Sequence, residues 1–153
     1  MRSARGTTDR RSSLAHVTNG ARLLGLDYIG ARHAVLVVED DMLVRTALAD
    51  GLRRAGYRVI EAANAAEAVL VLAAREPVDV IFTDWEMPGA MDGLALAEWV
   101  HAHRPGTPVL LASGVGKPTN RASATPFAAF VPKPYTAEEA AKQIAAALEQ
   151  DRD

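Results

Sequence analysis

The sequence has 153 residues, of which 49% are hydrophobic and 24% charged, with a net charge of −2 and no cysteine. This composition is typical of a globular protein of one domain, and the absence of cysteine excludes disulfides and thiol chemistry and leaves only oxygen and imidazole ligands for a metal. No segment approaches the ~20 consecutive apolar residues of a membrane-spanning helix or the apolar core of a secretory signal, so we expect a cytoplasmic protein without a membrane partner.

Residues 1–33 differ from the rest of the chain in charge. They contain six arginines and two aspartates, a net charge of +4, so residues 34–153 carry −6. We interpret residues 1–33 as an N-terminal extension, mostly too poor in apolar residues to become ordered, although Ala21–Ala31 is more apolar and could dock on the domain. The acidic remainder argues against direct binding to nucleic acid, because contacts to phosphates dominate such binding.

From Ala34 onward, short β-branched apolar runs alternate with amphipathic segments. The first run ends in acids and is typical of a strand buried on both faces. Val44, Leu48 and Leu52 then recur every four residues and predict the inner face of a helix that ends before Gly56. In chain order the predicted elements are strand 34–39, helix 42–55, strand 57–60, helix 64–75, strand 78–83, helix 93–103, strand 108–113, strand 128–132 and helix 136–150.

Two helix starts carry capping residues. Asn64 is followed three positions later by Glu67, and Thr136 is followed at the same spacing by Glu139. This spacing allows the first side chain to accept from the backbone while the acid reaches back to the start of the helix. We therefore expect helices to begin immediately after Asn64 and Thr136.

Strands that alternate with helices at these lengths predict a parallel sheet with helices on both faces. We expect one α/β domain over residues 34–150, with a doubly wound, flavodoxin-like five-stranded sheet of order 2-1-3-4-5. In such folds the binding site lies at the carboxyl ends of the strands, where the strand order reverses. The segment Val115–Phe127 contains two prolines and few apolar residues, so it matches poorly the helix expected between strands four and five.

Acidic, hydroxyl and basic side chains follow strands that this topology makes neighbours. Glu39 and Asp40 follow the first strand, Asp84 follows the third, Ser113 ends the fourth and Lys133 follows the fifth. Carboxylates this close together repel one another unless a cation neutralises them, and hard oxygen ligands suit Mg²⁺. A lysine and a hydroxyl can both contact a phosphoryl group. The set therefore favours phosphoryl transfer to an aspartate, although each group taken singly is common at a strand end without any function.

Four motifs resemble the receiver domains of two-component response regulators. They are VLVVEDD (35–41), TDWEMPGAMDG (83–93), PVLLASG (108–114) and FVPKPY (130–135), in the order and near the spacing of that family. The resemblance implies a protein that accepts a phosphoryl group from a sensor histidine kinase or a phosphotransfer protein, with Mg²⁺ as cofactor. Such a protein signals to a protein target by changing shape, and it is no enzyme beyond assisting its own phosphorylation and dephosphorylation.

The resemblance also implies a metal site and a phosphoacceptor. Asp84 matches the phosphoacceptor, and Asp40 matches the acid that binds Mg²⁺ directly together with Asp84. Glu39 matches the neighbouring acid that acts through water. The backbone carbonyl of Glu86, two residues past the acceptor, matches the third protein ligand of the metal.

The same resemblance implies a switch around strands four and five. Ser113 matches the hydroxyl residue that contacts the phosphoryl group, and Lys133 matches the lysine that pairs with it. Phe130 falls at the position of the aromatic switch residue. The Lys133–Pro134 peptide matches one that is commonly cis in the family, which X–Pro bonds allow at low cost. Because only three residues follow Gln150, we expect a single-domain regulator.

The sequence departs from the family in two places close to this site. The loop after Asp84 reads MPGAMDG, one residue longer than the common MPxMDG, so the backbone near the metal is expected to be rearranged. Gly114 stands where a small alanine is usual. These departures bear on how the signal is passed on from the site, and they do not affect the assignment of the phosphoacceptor.

Three other functions compete with this interpretation. A phosphohydrolase with an aspartate nucleophile needs a second acid two residues later, which is Glu86 here, but Pro88 follows and the chain has no cap insertion. The GVGK segment at 114–117 is not a phosphate-binding loop, because Pro118 stands where serine or threonine is required and Leu111 where glycine is required. A degenerate receiver that acts independently of phosphorylation is the remaining alternative, and the intact acid, hydroxyl and lysine positions disfavour it.

Overall fold

The computed structural model of the chain describes residues 33–114 and 128–152. The predictions made for residues 1–32 and for 115–127 lie outside these ranges. Within them the chain forms five strands and four helices: β1 (Ala34–Val38), α1 (Met42–Arg54), β2 (Arg58–Ala62), α2 (Ala65–Ala73), β3 (Val80–Asp84), α3 (Gly93–His103), β4 (Val109–Ser113), β5 (Ala128–Pro132) and α4 (Ala137–Gln150).

The five strands form one parallel sheet with the order β2-β1-β3-β4-β5. This confirms the predicted doubly wound topology. The strand order reverses between β1 and β3, which lie side by side with Val35 opposite Val80. Their carboxyl ends therefore meet at one edge of the sheet, which we call the rim, and the predicted site residues follow those ends.

Apolar cores cover both faces of the sheet. Every residue of β1 and β3 is buried, because successive side chains of these central strands point to opposite faces and both faces are packed. On one face α2 and α3 pack against residues such as Leu36, Ile81 and Leu111. On the other face α1 and α4 pack against residues such as Val37 and Phe82.

Each helix begins with a side chain that caps its free N–H groups. Asp41, Asn64 and Asp92 each accept a hydrogen bond from a backbone N–H in the first turn of α1, α2 and α3. Thr136 and Glu139 form a reciprocal capping box at the start of α4. The capped starts predicted at Asn64 and Thr136 are thus confirmed, and the caps fix where each helix leaves the rim.

The periodicity of α1 predicts only part of its inner face correctly. Leu48 and Leu52 are buried, but Val44 is 42% exposed, so its predicted place on the inner face is wrong. The first turn of α1 begins at the rim, beyond the last residue of β1, so Val44 lies past the end of the strand that the later turns of α1 follow. No helix in the described ranges is long and apolar enough to cross a membrane.

Candidate phosphoacceptor site

Three carboxylates converge at the rim where β1 and β3 end. One ligand oxygen from each of Glu39, Asp40 and Asp84 lies within 4.8 Å of the other two. Glu39 and Asp84 are buried, whereas Asp40 is exposed. The backbone fixes this arrangement, because the N–H of Glu39 continues the sheet by donating to the carbonyl of Ala62 at 3.1 Å.

Lys133 provides the positive charge of the site. Its Nζ lies 2.7 Å from Oδ1 of Asp84, whose side chain is 8% exposed. The backbone N–H of Lys133 donates to the carbonyl of Ser113 at 2.9 Å, so the end of β4 positions the lysine. A charge-assisted bond of this length between a buried acid and a half-buried lysine is a strong one, since water competes little for either partner.

The pKa of Glu39 is raised from 4.5 to about 7. Burial is the largest cause, because it removes water from the charged form, and the negative charge of Asp84 adds to it. A hydrogen bond from the N–H of Asp41 to Oε1 of Glu39, 3.0 Å long, and the charge of Lys133 act in the opposite direction. Lys133 pairs directly with Asp84, whereas the described ion pairs give no cationic partner to the carboxylate of Glu39 or to that of Asp40.

The donor set of the rim fits a hard divalent cation. Three carboxylate oxygens that lie this close together, two of them from buried residues, offer the charge and the oxygen ligands that Mg²⁺ prefers. Burial and the charge of Asp84 both raise the pKa of Glu39, so a second negative charge beside Asp84 is disfavoured in the metal-free cluster. A cation among these oxygens would offset that charge.

The other predicted site residues lie on β4, on β5 and in the loop after Asp84. Ser113 ends β4 opposite Pro132, directly beside the strand that leads to Lys133. Phe130 lies opposite Leu111 and packs into the core on the α2–α3 face rather than against the acids. The side chain of Glu86 is exposed in the loop after Asp84. The Lys133–Pro134 peptide is cis, as expected.

The loop between β3 and α3 accommodates its extra residue without opening at its base. The N–H of Gly93 donates to the carbonyl of Trp85 at 2.8 Å and joins the two ends of the loop. Gly89 has a φ of 112°, a conformation that glycine adopts without strain. Met87 is buried and anchors the middle of the loop. The longer loop is therefore anchored at both ends and in its middle.

Sequence reasoning missed three residues that contact the site. The ring of Trp85 lies 5.9 Å from that of Phe130 and so connects the residue after Asp84 to β5. Tyr135 packs edge-on against Phe82, and burial, with the charges of Glu39 and Asp84, raises its pKa to about 12. The buried hydroxyl of Thr83 donates to the carbonyl of Asp84 at 3.0 Å. In the sequence, only their aromatic character could have drawn attention to Trp85 and Tyr135.

Comparisons with known proteins agree with this geometry. The family described as response regulator receiver domain matches residues 35–145. The DNA-binding transcriptional regulator NtrC of Escherichia coli K12 is 35% identical over 119 residues, which cover 76% of this chain and 25% of NtrC. The response regulator protein FleR of Pseudomonas aeruginosa is 42% identical over 82 residues, 54% of this chain and 17% of FleR. The chain thus spans a quarter or less of the length of these relatives.

Solved structures of similar proteins cover the same part of the chain. The chemotaxis response regulator CheY4 of Vibrio cholerae superimposes with a TM-score of 0.67 and 29% identity, over 76% of this chain and 98% of CheY4. The signal receiver domain of an HD domain-containing protein from Pseudomonas fluorescens Pf-5 gives a TM-score of 0.70 and 26% identity, over 79% and 98% of the two chains. Both superimpose over nearly their whole length.

Proposed function

The chain belongs to the response regulator receiver domain family, and from this membership we propose that it accepts one phosphoryl group on Asp84 and signals to a protein partner. The observation that carries the proposal is the 2.7 Å contact between Lys133 and Asp84 beside two further carboxylates. Receiver domains are signalling domains of two-component systems, and phosphorylation and Mg²⁺ are general features of the family. We propose residues 34–150 as the extent of the domain.

The phosphoryl donor is a phosphohistidine of a sensor histidine kinase or of a phosphotransfer protein. A carboxylate oxygen of Asp84 attacks the phosphorus atom, the new O–P bond forms, and the P–N bond breaks with its electron pair returning to the imidazole. Lys133 then contacts a phosphoryl oxygen, and the hydroxyl of Ser113 donates to another. Hydrolysis reverses the state, because water attacks phosphorus and the carboxylate of Asp84 leaves.

The acidic cluster is proposed as the Mg²⁺ site of the domain. Asp40 and Asp84 would hold the ion directly, Glu39 through water, and the backbone carbonyl of Glu86 would complete the protein ligands. When bound, Mg²⁺ supplies positive charge that offsets the carboxylates and the phosphoryl oxygens. The convergence of the three carboxylates within 4.8 Å supports this assignment.

The activities of the longer relatives are not carried over to this chain. DNA binding is part of the name of NtrC, of which the chain spans a quarter. We propose instead that the phosphorylated domain acts on a protein target, through the side of the sheet that carries Ser113 and Phe130. Movement of the Ser113 hydroxyl toward the phosphoryl group would vacate space beside β4, which the ring of Phe130 can fill.

The test is phosphorylation by a small donor such as acetyl phosphate. In the presence of Mg²⁺ the protein should gain the mass of one phosphoryl group, and hydroxylamine should remove it, as expected for an acyl phosphate. Asp84→Asn should gain none. Asp50→Asn is the matched control, because Asp50 is an exposed aspartate on α1 paired only with Arg53 among the described contacts.

The outcomes separate the competing functions. Equal labelling of Asp84→Asn and the wild type would refute Asp84 as the acceptor. A wild type that takes no label from acetyl phosphate or from any histidine kinase would favour the degenerate receiver. Rapid turnover of unrelated phosphate esters, with loss of activity in Asp84→Asn, would favour the phosphohydrolase.

A further inference from the structure

The first residue of α3 lies against the backbone of the proposed phosphoacceptor. A Cβ atom built on Gly93 would overlap the carbonyl oxygen of Asp84 and would lie 2.9 Å from both the carbonyl carbon of Asp84 and the Cα of Trp85. Atoms of a folded backbone do not approach this closely, so any larger residue would displace α3 or the acceptor. Gly93 is not among the described glycines with positive φ, so space rather than backbone conformation requires glycine here.

The same carbonyl is held from within its own strand. The hydroxyl of Thr83 donates to the carbonyl oxygen of Asp84 at 3.0 Å, and Thr83 is fully buried. The N–H of Gly93 donates to the next carbonyl, that of Trp85, at 2.8 Å. The Asp84–Trp85 peptide is therefore fixed by the hydroxyl of Thr83, by the hydrogen bond from its own N–H to the carbonyl of Ala112 at 2.9 Å, and by its close packing against the start of α3.

We propose that Gly93 and the hydroxyl of Thr83 are positioning residues that aim the carboxylate of Asp84. This inference rests on the proposed function of Asp84. The direction of a side chain follows from the orientation of its own peptide units, so turning the Asp84–Trp85 peptide would move the carboxylate away from Lys133 and from the other two acids. The hydrogen bond at the base of the loop would similarly place the carbonyl of Glu86, the proposed third ligand of the metal.

The first test replaces Gly93 by alanine. Mg²⁺ affinity is measured by calorimetry, and the rate of phosphorylation by acetyl phosphate is measured per folded molecule, with the folded fraction taken from circular dichroism. Residues that orient metal ligands typically change affinity or activity by 10–100-fold, and a displacement of about 1 Å has a similar effect on rate. We expect Gly93→Ala to weaken Mg²⁺ binding and to slow phosphorylation by at least about tenfold.

Gly106→Ala is the matched control. Gly106 precedes β4 at the edge of the sheet opposite the rim and has a φ of 90°. A methyl group added there would meet no atom within 4 Å beyond its chain neighbours. The substitution strains the backbone and destabilises the fold without touching the site. It should lower the melting temperature while leaving Mg²⁺ affinity and the phosphorylation rate of the folded protein unchanged.

A second pair of variants at Thr83 keeps the inference testable if Gly93→Ala does not fold. Thr83→Val preserves the shape of the side chain and removes the hydroxyl, whereas Thr83→Ser keeps the hydroxyl and removes a methyl group. If the hydroxyl positions Asp84, Thr83→Val should be phosphorylated more slowly and should bind Mg²⁺ more weakly than the wild type. Thr83→Ser should then restore both the rate and the affinity. A role in core packing alone predicts the reverse order, because serine would leave the larger cavity.

The outcomes for this inference differ from those for the proposed function. Wild-type Mg²⁺ affinity in both Gly93→Ala and Thr83→Val would overturn the positioning role even if Asp84 is phosphorylated. If the wild type accepts no phosphoryl group, the proposed function is wrong, and the Mg²⁺ affinities of the variants still decide whether these residues position the acids. If Gly106→Ala loses as much Mg²⁺ affinity and phosphorylation rate as Gly93→Ala, the inference is also overturned, because the losses would then reflect stability alone.

Discussion

Glu39→Gln tests the electrostatic cost of the acidic cluster most directly. Glu39 is 5% exposed, and burial followed by the charge of Asp84 raises its pKa from 4.5 to about 7. Glutamine has nearly the same shape and keeps an oxygen that can accept from the N–H of Asp41. The substitution therefore removes the charge of Glu39 and little else.

The sign of the effect follows from proton binding. Between pH 4.5 and about 7 the folded protein holds a proton on Glu39 that the unfolded chain has already lost, so the free energy of unfolding falls as pH rises through this window. A pKa difference of this size lowers the free energy of unfolding by ~3 kcal/mol above pH 7, relative to its value below pH 4.5. In metal-free solution Glu39→Gln should match the wild type near pH 4.5 and be more stable by ~3 kcal/mol at pH 8, roughly 10 °C in melting temperature.

The assay is thermal and urea unfolding of both proteins from pH 4.5 to 8 in the presence of a chelator. Glu98→Gln serves as the control for the loss of one carboxylate, because Glu98 is an exposed glutamate on α3 outside the acidic cluster. Saturating Mg²⁺ should stabilise the wild type at pH 8 and reduce its difference from Glu39→Gln. A difference between wild type and Glu39→Gln that stays constant across this pH range would refute the reasoning.

Four further expectations concern other parts of the domain. Asp40→Asn should weaken Mg²⁺ binding by at least about tenfold in calorimetry, because it removes a proposed direct ligand. Thr136→Ala should lower the free energy of unfolding in urea by about 1 kcal/mol, because it removes the cap of α4. A chain that begins at Ala31 should fold and become phosphorylated like the full chain, as judged by circular dichroism and mass. Beryllofluoride with Mg²⁺ should change the fluorescence of Trp85 in a Trp99→Phe background, and Phe130→Ala should reduce that change.

The sequence predicts the fold well because its strongest signals are local. Buried central strands appear as continuous apolar runs, and caps such as Asn64 mark helix starts within a few residues. The exposure of Val44 could not be predicted in this way, because periodicity gives the inner face of a helix but not where the sheet beneath it ends. The predictions for residues 1–32 and 115–127 concern parts of the chain outside the described ranges, and they stay predictions.

The candidate site is predictable from strand ends, and what sequence reasoning misses depends on tertiary contacts. Glu39, Asp40, Asp84 and Lys133 come together because parallel strands place their carboxyl ends at one edge. Gly93 closes the TDWEMPGAMDG motif and follows the cap of α3, and its contact with the acceptor depends on how α3 docks. The family resemblance assigns roles to the groups that meet a phosphoryl group, and it assigns none to Thr83 or Gly93, whose contacts with the acceptor appear only in the structure.

The distribution of charge at the rim also indicates how Mg²⁺ binding and phosphorylation of Asp84 should affect each other. Lys133 already offsets the charge of Asp84, while no described ion pair compensates the carboxylate of Glu39, whose pKa is raised to about 7. A phosphoryl group on Asp84 would add negative charge and draw Lys133 toward its oxygens, which removes compensation from the acids. A divalent cation held by the same acids offsets both changes. Metal and phosphoryl group should therefore stabilise each other, and because such coupling is reciprocal, a phosphoryl mimic should tighten Mg²⁺ binding by the same factor that Mg²⁺ tightens binding of the mimic.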